Sequence, residues 1–226
     1  MILHLHREIE GLKKDILNLG AMVELSVERA IDAIERRDEA TARAVIDNDD
    51  KIDDKEVDIE ECCLKILALH QPVATDLRFI VAVLKINSDL ERIADLAVNI
   101  AERAAFLATQ PQPDVSFDFP RMAGVVQTML RSSIDALVNA NTDLAYQVWA
   151  SDDEVDAMNR EMYIKTQQAI VKHPDQAESI IHLLSASRHL ERIADGATNI
   201  AEDVIYMIKG EIVRHRVEQY VSQRRH

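Results

Sequence analysis

Apolar residues recur along this chain at spacings of three and four, the period at which side chains return to one face of an α-helix. Ile9, Leu12, Ile16, Leu19, Val23, Val27, Ala30 and Ile34 form one such stripe and predict a long helix over about residues 2–36, which Gly11 and Gly20 weaken without ending. Asp38 is placed to cap a second helix carrying Ala42, Val45, Ile52, Ile59, Ile66 and Leu69, stopping near His70-Gln71-Pro72. A third begins around Thr75, buries Leu90, Ile93, Ala97, Ile100, Ala104 and Leu107, and fades near Thr109. The stretch from Gln110 to Ser116, with Pro111 and Pro113, reads as a loop. After it the order resumes. Pro120 suits a helix start with Val125, Val126, Met129, Ile134 and Leu137 as its stripe. Asn141-Thr142-Asp143 caps the next helix, which runs to about Lys172. Pro174 marks the turn into the last, and Gly210 interrupts or ends it.

This order is a duplication. Leu90-Glu91-Arg92-Ile93-Ala94-Asp95 returns letter for letter as Leu190-Glu191-Arg192-Ile193-Ala194-Asp195, and Asn99-Ile100-Ala101-Glu102 returns as Asn199-Ile200-Ala201-Glu202. Ile34 aligns with Leu137, Val45 with Val148 and Asp53 with Asp156 at an offset of 103, which falls to 100 after a shorter second turn. The expected fold is all-α, two tandem three-helix bundles built from six long antiparallel helices. The first bundle is expected over residues 1–110 and the second over 111–226, ending in a short basic tail from Arg214-His215-Arg216 to Arg224-Arg225-His226.

Composition agrees and narrows the function. The 226 residues are 47% hydrophobic with only 5 Gly and 5 Pro, which suits long helices, and 4% aromatics leave the cores to Leu, Ile, Val and Ala. With 40 acidic against 26 basic residues and a net charge of −14, the surface repels a phosphate backbone, so no nucleic-acid partner is expected. The start lacks a signal-like apolar run, and no stretch is apolar enough for a membrane span. A cytoplasmic protein that meets a membrane only peripherally is therefore expected. Cys62 and Cys63 are neighbours about 100° apart on a helix, a poor geometry for a disulfide, and no second pair supplies a zinc site. Tyr163 and Trp149 read as packing residues. No nucleophile stands with a base and no Gly-rich phosphate loop occurs, so an enzyme is not expected.

The acids are the informative residues. With Glu91 at zero on a helical wheel of about 100° per residue, Asp95 falls near 40° and Asn99 near 80°, while the apolar stripe centres near 220°. Glu91 and Asp95 therefore face away from the core as like charges at i,i+4, which repel. The second helix of each half carries a similar pair, Asp49 with Asp53 and Asp152 with Asp156. Folding each helix pair about its turn brings the two acidic pairs to one height, with the midpoint at Pro72 in the first half and between His173 and Pro174 in the second. Each half thus gathers four carboxylates, with Asn99 and Glu102, or Asn199 and Glu202, nearby. Crowded carboxylates want protons, basic partners or a cation, and an all-oxygen set suits hard ions such as Mg²⁺, Ca²⁺, Mn²⁺ or Fe³⁺. The simpler alternative is a solvated acidic ridge with local Arg92–Asp95 and Arg192–Asp195 pairs.

These tandem segments, the acidic pairs and the turn Gln71-Pro72-Val73-Ala74-Thr75-Asp76-Leu77-Arg78 resemble the PhoU family, the accessory and regulatory proteins of the phosphate-specific transport system. The resemblance spans nearly the whole chain. It implies a pair of multinuclear metal clusters, of iron or zinc, on the outer faces of the bundles. Carried over by motif, the ligand candidates are Asp49, Asp53, Glu91 and Asp95 in the first half and Asp152, Asp156, Glu191 and Asp195 in the second, beside Asn99 and Asn199. It further implies a homodimer that represses phosphate-starvation signalling when phosphate is plentiful, through the phosphate transporter's ATPase and a sensor histidine kinase. Two departures stand out. Ala94 and Ala194 replace the family's usual Gly, and Gln176-Ala177-Glu178 aligns with Asp76-Leu77-Arg78, which implies that the two clusters need not be alike.

Two other readings compete. A ferritin-type di-iron enzyme needs Glu-x-x-His pointing into the bundle, and no Glu here has His three residues later. A metal-free adaptor would use the acidic ridge itself to dock a basic partner. His70, His173, His182 and His189 are spaced irregularly with respect to the acids and read as exposed or flanking residues rather than ligands.

Overall fold

The computed structural model describes residues 2–115 and 117–210; the basic tail from Arg214 to His226 lies outside the described residues. The described chain is all helical and follows the expected six-helix order, with one helix broken in two. Helix α1 (Ile2–Arg36) buries every position of its stripe from Ile9 to Ile34. Asp38 then caps α2 (Glu39–Ile46), its carboxylate accepting from the backbone N–H groups of Ala40 and Thr41 at 2.9 and 3.2 Å. Helix α3 (Asp50–His70) ends at Gln71 in the left-handed conformation, and α4 (Ala74–Thr109) follows. The second half contains α5 (Phe119–Val138), α6 (Thr142–Lys172), a single 3₁₀ turn (Pro174–Gln176) and α7 (Ala177–Lys209). Asn141 caps α6 through its side chain, and Gly210 closes α7 with φ 71°.

The expected second helix breaks at Asp47–Asp49. Asp47 and Asp49 keep right-handed helical dihedrals, but the backbone bonds tighten to the i−3 pattern, Asn48 donating to Val45 at 3.2 Å and Asp49 to Ile46 at 3.3 Å. Four consecutive short polar residues, Asp47-Asn48-Asp49-Asp50, compete with the helical bonds of their own backbone. The aligned Ala150-Ser151-Asp152 lacks that run, and α6 is continuous. Leu69 is a second departure, at 63% exposure. It lies about 80° around the helix from Ile59, outside the buried face formed by Ile52, Ile59, Cys63 and Ile66.

Helices α1, α2–α3 and α4 pack together, as do α5, α6 and α7, and the halves meet where α4 lies along α7 and α1 along α5. The outer helices α2–α3 and α6 touch only their own half. The buried residues of both halves form one continuous apolar cluster across the loop that joins them. Polar ties also cross between halves: Lys85 pairs with Asp203 at 2.9 Å, Arg78 donates to the Met207 carbonyl at 3.0 Å, and Arg131 pairs with Glu24 at 3.0 Å. Within the first half, Arg37 donates to the carbonyl oxygens of Leu107 and Gln110, tying the end of α4 to the α1–α2 turn. No described helix is long and apolar enough to cross a membrane.

The α4–α7 approach is close at one point. A Cβ on Gly196 would lie 2.9 Å from Cγ1 of Ile93, and Ile93 is 1% exposed, so neither residue has room to withdraw. Gly196→Val is expected to lower stability by about 1–3 kcal/mol through overpacking, and Ile93→Ala in the same chain to return part of that loss. Denaturant unfolding of the two single variants and the double variant reads the coupling; strictly additive losses would show that the two residues do not press on one another.

Candidate metal centre

In the first half the break in the helix sets the geometry. Asp49 sits at the N-cap of α3, yet its side chain makes no capping bond, and its Oδ1 is buried without a hydrogen-bond partner. Burial first, then the charges of Asp53, Asp95 and Asp50, push its carboxyl up to about 6. On α4, burial followed by Asp95, Asp53 and Glu56 raises Glu91 above the usual carboxylate range, and Arg92 opposes the shift. The acids of α3 and α4 therefore share one patch, with Asp49 and Glu91 half-buried and Asp53 and Asp95 exposed at the rim.

The second half repeats the arrangement. Burial, then Asp152, Glu191 and Asp156, push Asp195 up to about 6 against the opposing charge of Arg192. Asp152 is raised by burial and Asp156, and Thr198 partly compensates by donating from its hydroxyl at 3.4 Å. Arg160 holds Asp156 at 3.3 Å. Arg92 and Arg192, in contrast, close no ion pair with Asp95 or Asp195 among the described residues, so the local bridges of the simple acidic ridge are not formed.

The remaining candidates are placed differently. Asn99 donates its amide to the Asp95 carbonyl at 2.7 Å, so its NH₂ group serves its own helix, and Asn199 is exposed. Glu102 lies 3.4 Å from Arg103. His70 binds Glu8 at 2.7 Å and His173 lies 3.5 Å from Asp114, both away from the acidic patches. Cys62 and Cys63 are free thiols, and burial pushes Cys63 up to about 12.

Glu56 is a further acid that the paired spacings overlooked. It accepts from the Asn87 amide at 2.9 Å and its charge acts on Glu91. Its signal was present in the sequence, since it stands three residues after Asp53 and seven after Asp49 on the same helical face. The aligned position in the second half is Asn159, which accepts instead from the Ser187 hydroxyl at 3.0 Å.

The donors are carboxylate oxygens with one buried and unpartnered, a chemistry that fits a hard cation. Among the described residues no group of three or more His, Cys, Asp or Glu side chains already stands at ligating geometry.

Comparison with known proteins gives a consistent picture. A family model described as the PhoU domain matches residues 16–104 and again 119–204, on either side of the Pro-rich loop. The chain is 38% identical over 214 residues to a protein of Aquifex aeolicus named phosphate-specific transport system accessory protein PhoU homolog, covering 94% of this chain and 96% of that one. A homolog of the same name from Clostridium acetobutylicum is 34% identical, with 91% and 94% covered. Among solved structures, PhoU from Pseudomonas aeruginosa superposes with a TM-score of 0.88 at 34% identity, covering 91% of this chain and 99% of that one. The phosphate transport system regulatory protein PhoU from Streptococcus pneumoniae gives 0.81 at 28%, covering 93% and 98%.

Raised carboxyls carry a pH signature. Asp49 and Asp195 bind protons more tightly folded than unfolded, so between their ordinary value of 3.8 and about 6 the native state holds more protons than the unfolded one. In chelator, this contribution to stability is full below that window and is lost as pH rises through it. Asp49→Asn and Asp195→Asn are each expected to flatten the decline and to raise the denaturation midpoint at pH 7. A midpoint lowered by both substitutions would mean that the ionised carboxylates are held by favourable partners.

Proposed function

The chain belongs to the PhoU family, and on that premise we propose that its two acidic patches are metal centres of a non-enzymatic regulator that docks on the phosphate transporter's ATPase subunit and on a sensor histidine kinase. The family establishes the coarser role, that of an accessory protein regulating a phosphate-specific transport system. Repression of phosphate-starvation signalling when phosphate is plentiful, the metals and the individual partners are the finer reading.

One observation carries the metal part: Asp49 and Asp195, in aligned patches of opposite halves, are both destabilised as anions by burial and by carboxylates from the neighbouring helix. A protein gains nothing in stability from building such repulsion twice, whereas a bound cation reverses its sign. Asp49, Asp53, Glu91 and Asp95, with Glu56 beside them, would hold the first cluster. Asp152, Asp156, Glu191 and Asp195 would hold the second. Iron or zinc is the metal to test first, with Mn²⁺, Mg²⁺ and Ca²⁺ as the hard-ion alternatives. Metal would then stiffen the α3–α4 and α6–α7 faces on which a partner docks, in each protomer of a homodimer.

The metal-free adaptor is favoured by a different observation, the Arg160–Asp156 pair, which neutralises one acid of the second patch from within. Elemental analysis separates the two readings. Protein purified without chelator is expected to contain bound transition metal, and Glu91→Ala/Glu191→Ala to lose most of it. Pull-down of the ATPase subunit and of the kinase's cytoplasmic portion is expected to weaken in chelator. Wild-type protein free of metal that still captures both partners would establish the adaptor.

A further inference from the structure

The two ends of the α4–α7 interface ought to be equivalent, and they are not. At one end Lys85 of α4 pairs with Asp203 of α7 at 2.9 Å, and the Lys85 ammonium lies 5.5 Å from the centre of the Tyr206 ring. The duplication, offset by 100 residues, carries Lys85 onto Ser185, Asp203 onto Arg103 and Tyr206 onto Phe106. At the other end the cation is therefore on α4, as Arg103, and the residue across from it is a serine where charge pairing would put an acid.

The surroundings are built for an anion. Among the described residues, Nε of Arg103 is buried with no hydrogen-bond partner, and Nδ1 of His182 and Nδ1 of His189 are buried and unpartnered as well. Phe106 stacks on the His182 ring with centroids 4.0 Å apart, and Ser185 Oγ lies 3.4 Å from His189 Nε2. Burial first, then the Arg103 charge, lowers both imidazoles below their ordinary value, and Arg192 and Arg188 act on His189 in the same direction. The positive charge here is therefore that of the arginines, in a chain of net charge −14. The acids nearby are Glu102, 3.4 Å from Arg103 Nη2, and Glu178, whose charge acts on His182. The Arg103 side chain is 30% exposed, which leaves the rim open to an ion from solvent.

We infer that Arg103, Ser185, His182 and His189 form a binding site for a small tetrahedral oxyanion, with inorganic phosphate as its probe. A guanidinium offers parallel N–H donors matched to such an ion, the bonded Ser185–His189 pair has one donor left, from the hydroxyl or from Nδ1 according to the tautomer, His182 can add another, and an unsatisfied buried N–H is costly to leave so. The site does not depend on the metal reading; of its surroundings only the Arg192 charge is shared with an acidic patch, where it acts on Asp195.

The test is calorimetric titration of the full chain with phosphate, alongside sulfate, acetate and phenyl phosphate, while the His182 imidazole is followed by NMR. Saturable phosphate binding that moves the His182 signals is expected, with acetate much weaker. Arg103→Gln is expected to weaken it by about tenfold or more, the loss of one charge-assisted pair. Ser185→Asp supplies the missing internal carboxylate, so it is expected to abolish binding and raise Tm, and it serves if Arg103→Gln does not fold. Phenyl phosphate binding as well as phosphate would support the site with an esterified source. No saturable binding by wild type, or binding retained in Ser185→Asp, would overturn the inference.

Discussion

Two helices that carry the same six letters lie against each other, and the arrangement of every other element follows from that contact. Ile93 presses where Gly196 has no side chain, and Ala94 and Ala194 are 1% and 0% exposed beside it. Each repeated segment is thus divided between two tasks. Leu90, Ile93, Ala94 and Ala97, with their counterparts, fill the shared core, and Glu91 and Asp95 turn outward. Gly in place of either alanine would lower helix propensity by about 1 kcal/mol, so alanine stiffens both helices where they meet while staying small enough for the approach. The identity of the two copies needs no metal to explain it in the core, because segments packed around a local two-fold axis face nearly the same environment.

The outer half of each segment is a different matter. An acid at the rim of a helix pair normally finds a Lys or Arg, and elsewhere on this chain that is what happens, as with Lys55–Asp15 at 2.6 Å and Arg43–Glu39 at 2.6 Å. In the patches the rule is relaxed at Asp49, Glu91, Asp152 and Asp195 together. At Asp49 the destabilised charge coincides with an irregular backbone. The Asp47–Asp50 run loosens the second helix and delivers Asp49 half-buried, with one oxygen unpartnered. A locally weakened helix and a destabilised charge at the same residue are what a site looks like when stability is traded for function.

Periodicity made most of the fold legible. The bounds of α1 follow directly from an unbroken stripe and a flanking Asp cap, and the end of α6 from Pro174. Equal heights on either side of Pro72 bring the acids of α3 and α4 together, because antiparallel neighbours of equal rise have little freedom in register. Three features were less accessible. The break at Asp47–Asp49 depends on backbone competition among residues that a stripe-based reading treats only as polar. Glu56 was hidden because its role is set across helices, by the Asn87 amide and Glu91, and a spacing-four template skips it. The continuity of one core through both halves could not be read from the helix stripes, since Ile134 and Gly20 meet only when α5 lies along α1.

Duplication also exposes what each half has changed. Glu56 corresponds to Asn159, Val57 to Arg160 and Val98 to Thr198, so the second patch has one carboxylate fewer, an arginine on Asp156 and a hydroxyl on Asp152. Each change lowers the negative field or supplies a donor to it, and all three fall in the same half. The asymmetry continues across the α4–α7 contact, where Lys85 and Asp203 pair at one end and the duplication carries them onto Ser185 and Arg103 at the other. The duplicated scaffold thus carries unequal charge, with the first patch richer in carboxylate than the second. The core that joins the halves repeats closely where it packs, as at Leu90, Ile93, Ala94 and Ala97, and the halves differ most where they meet solvent.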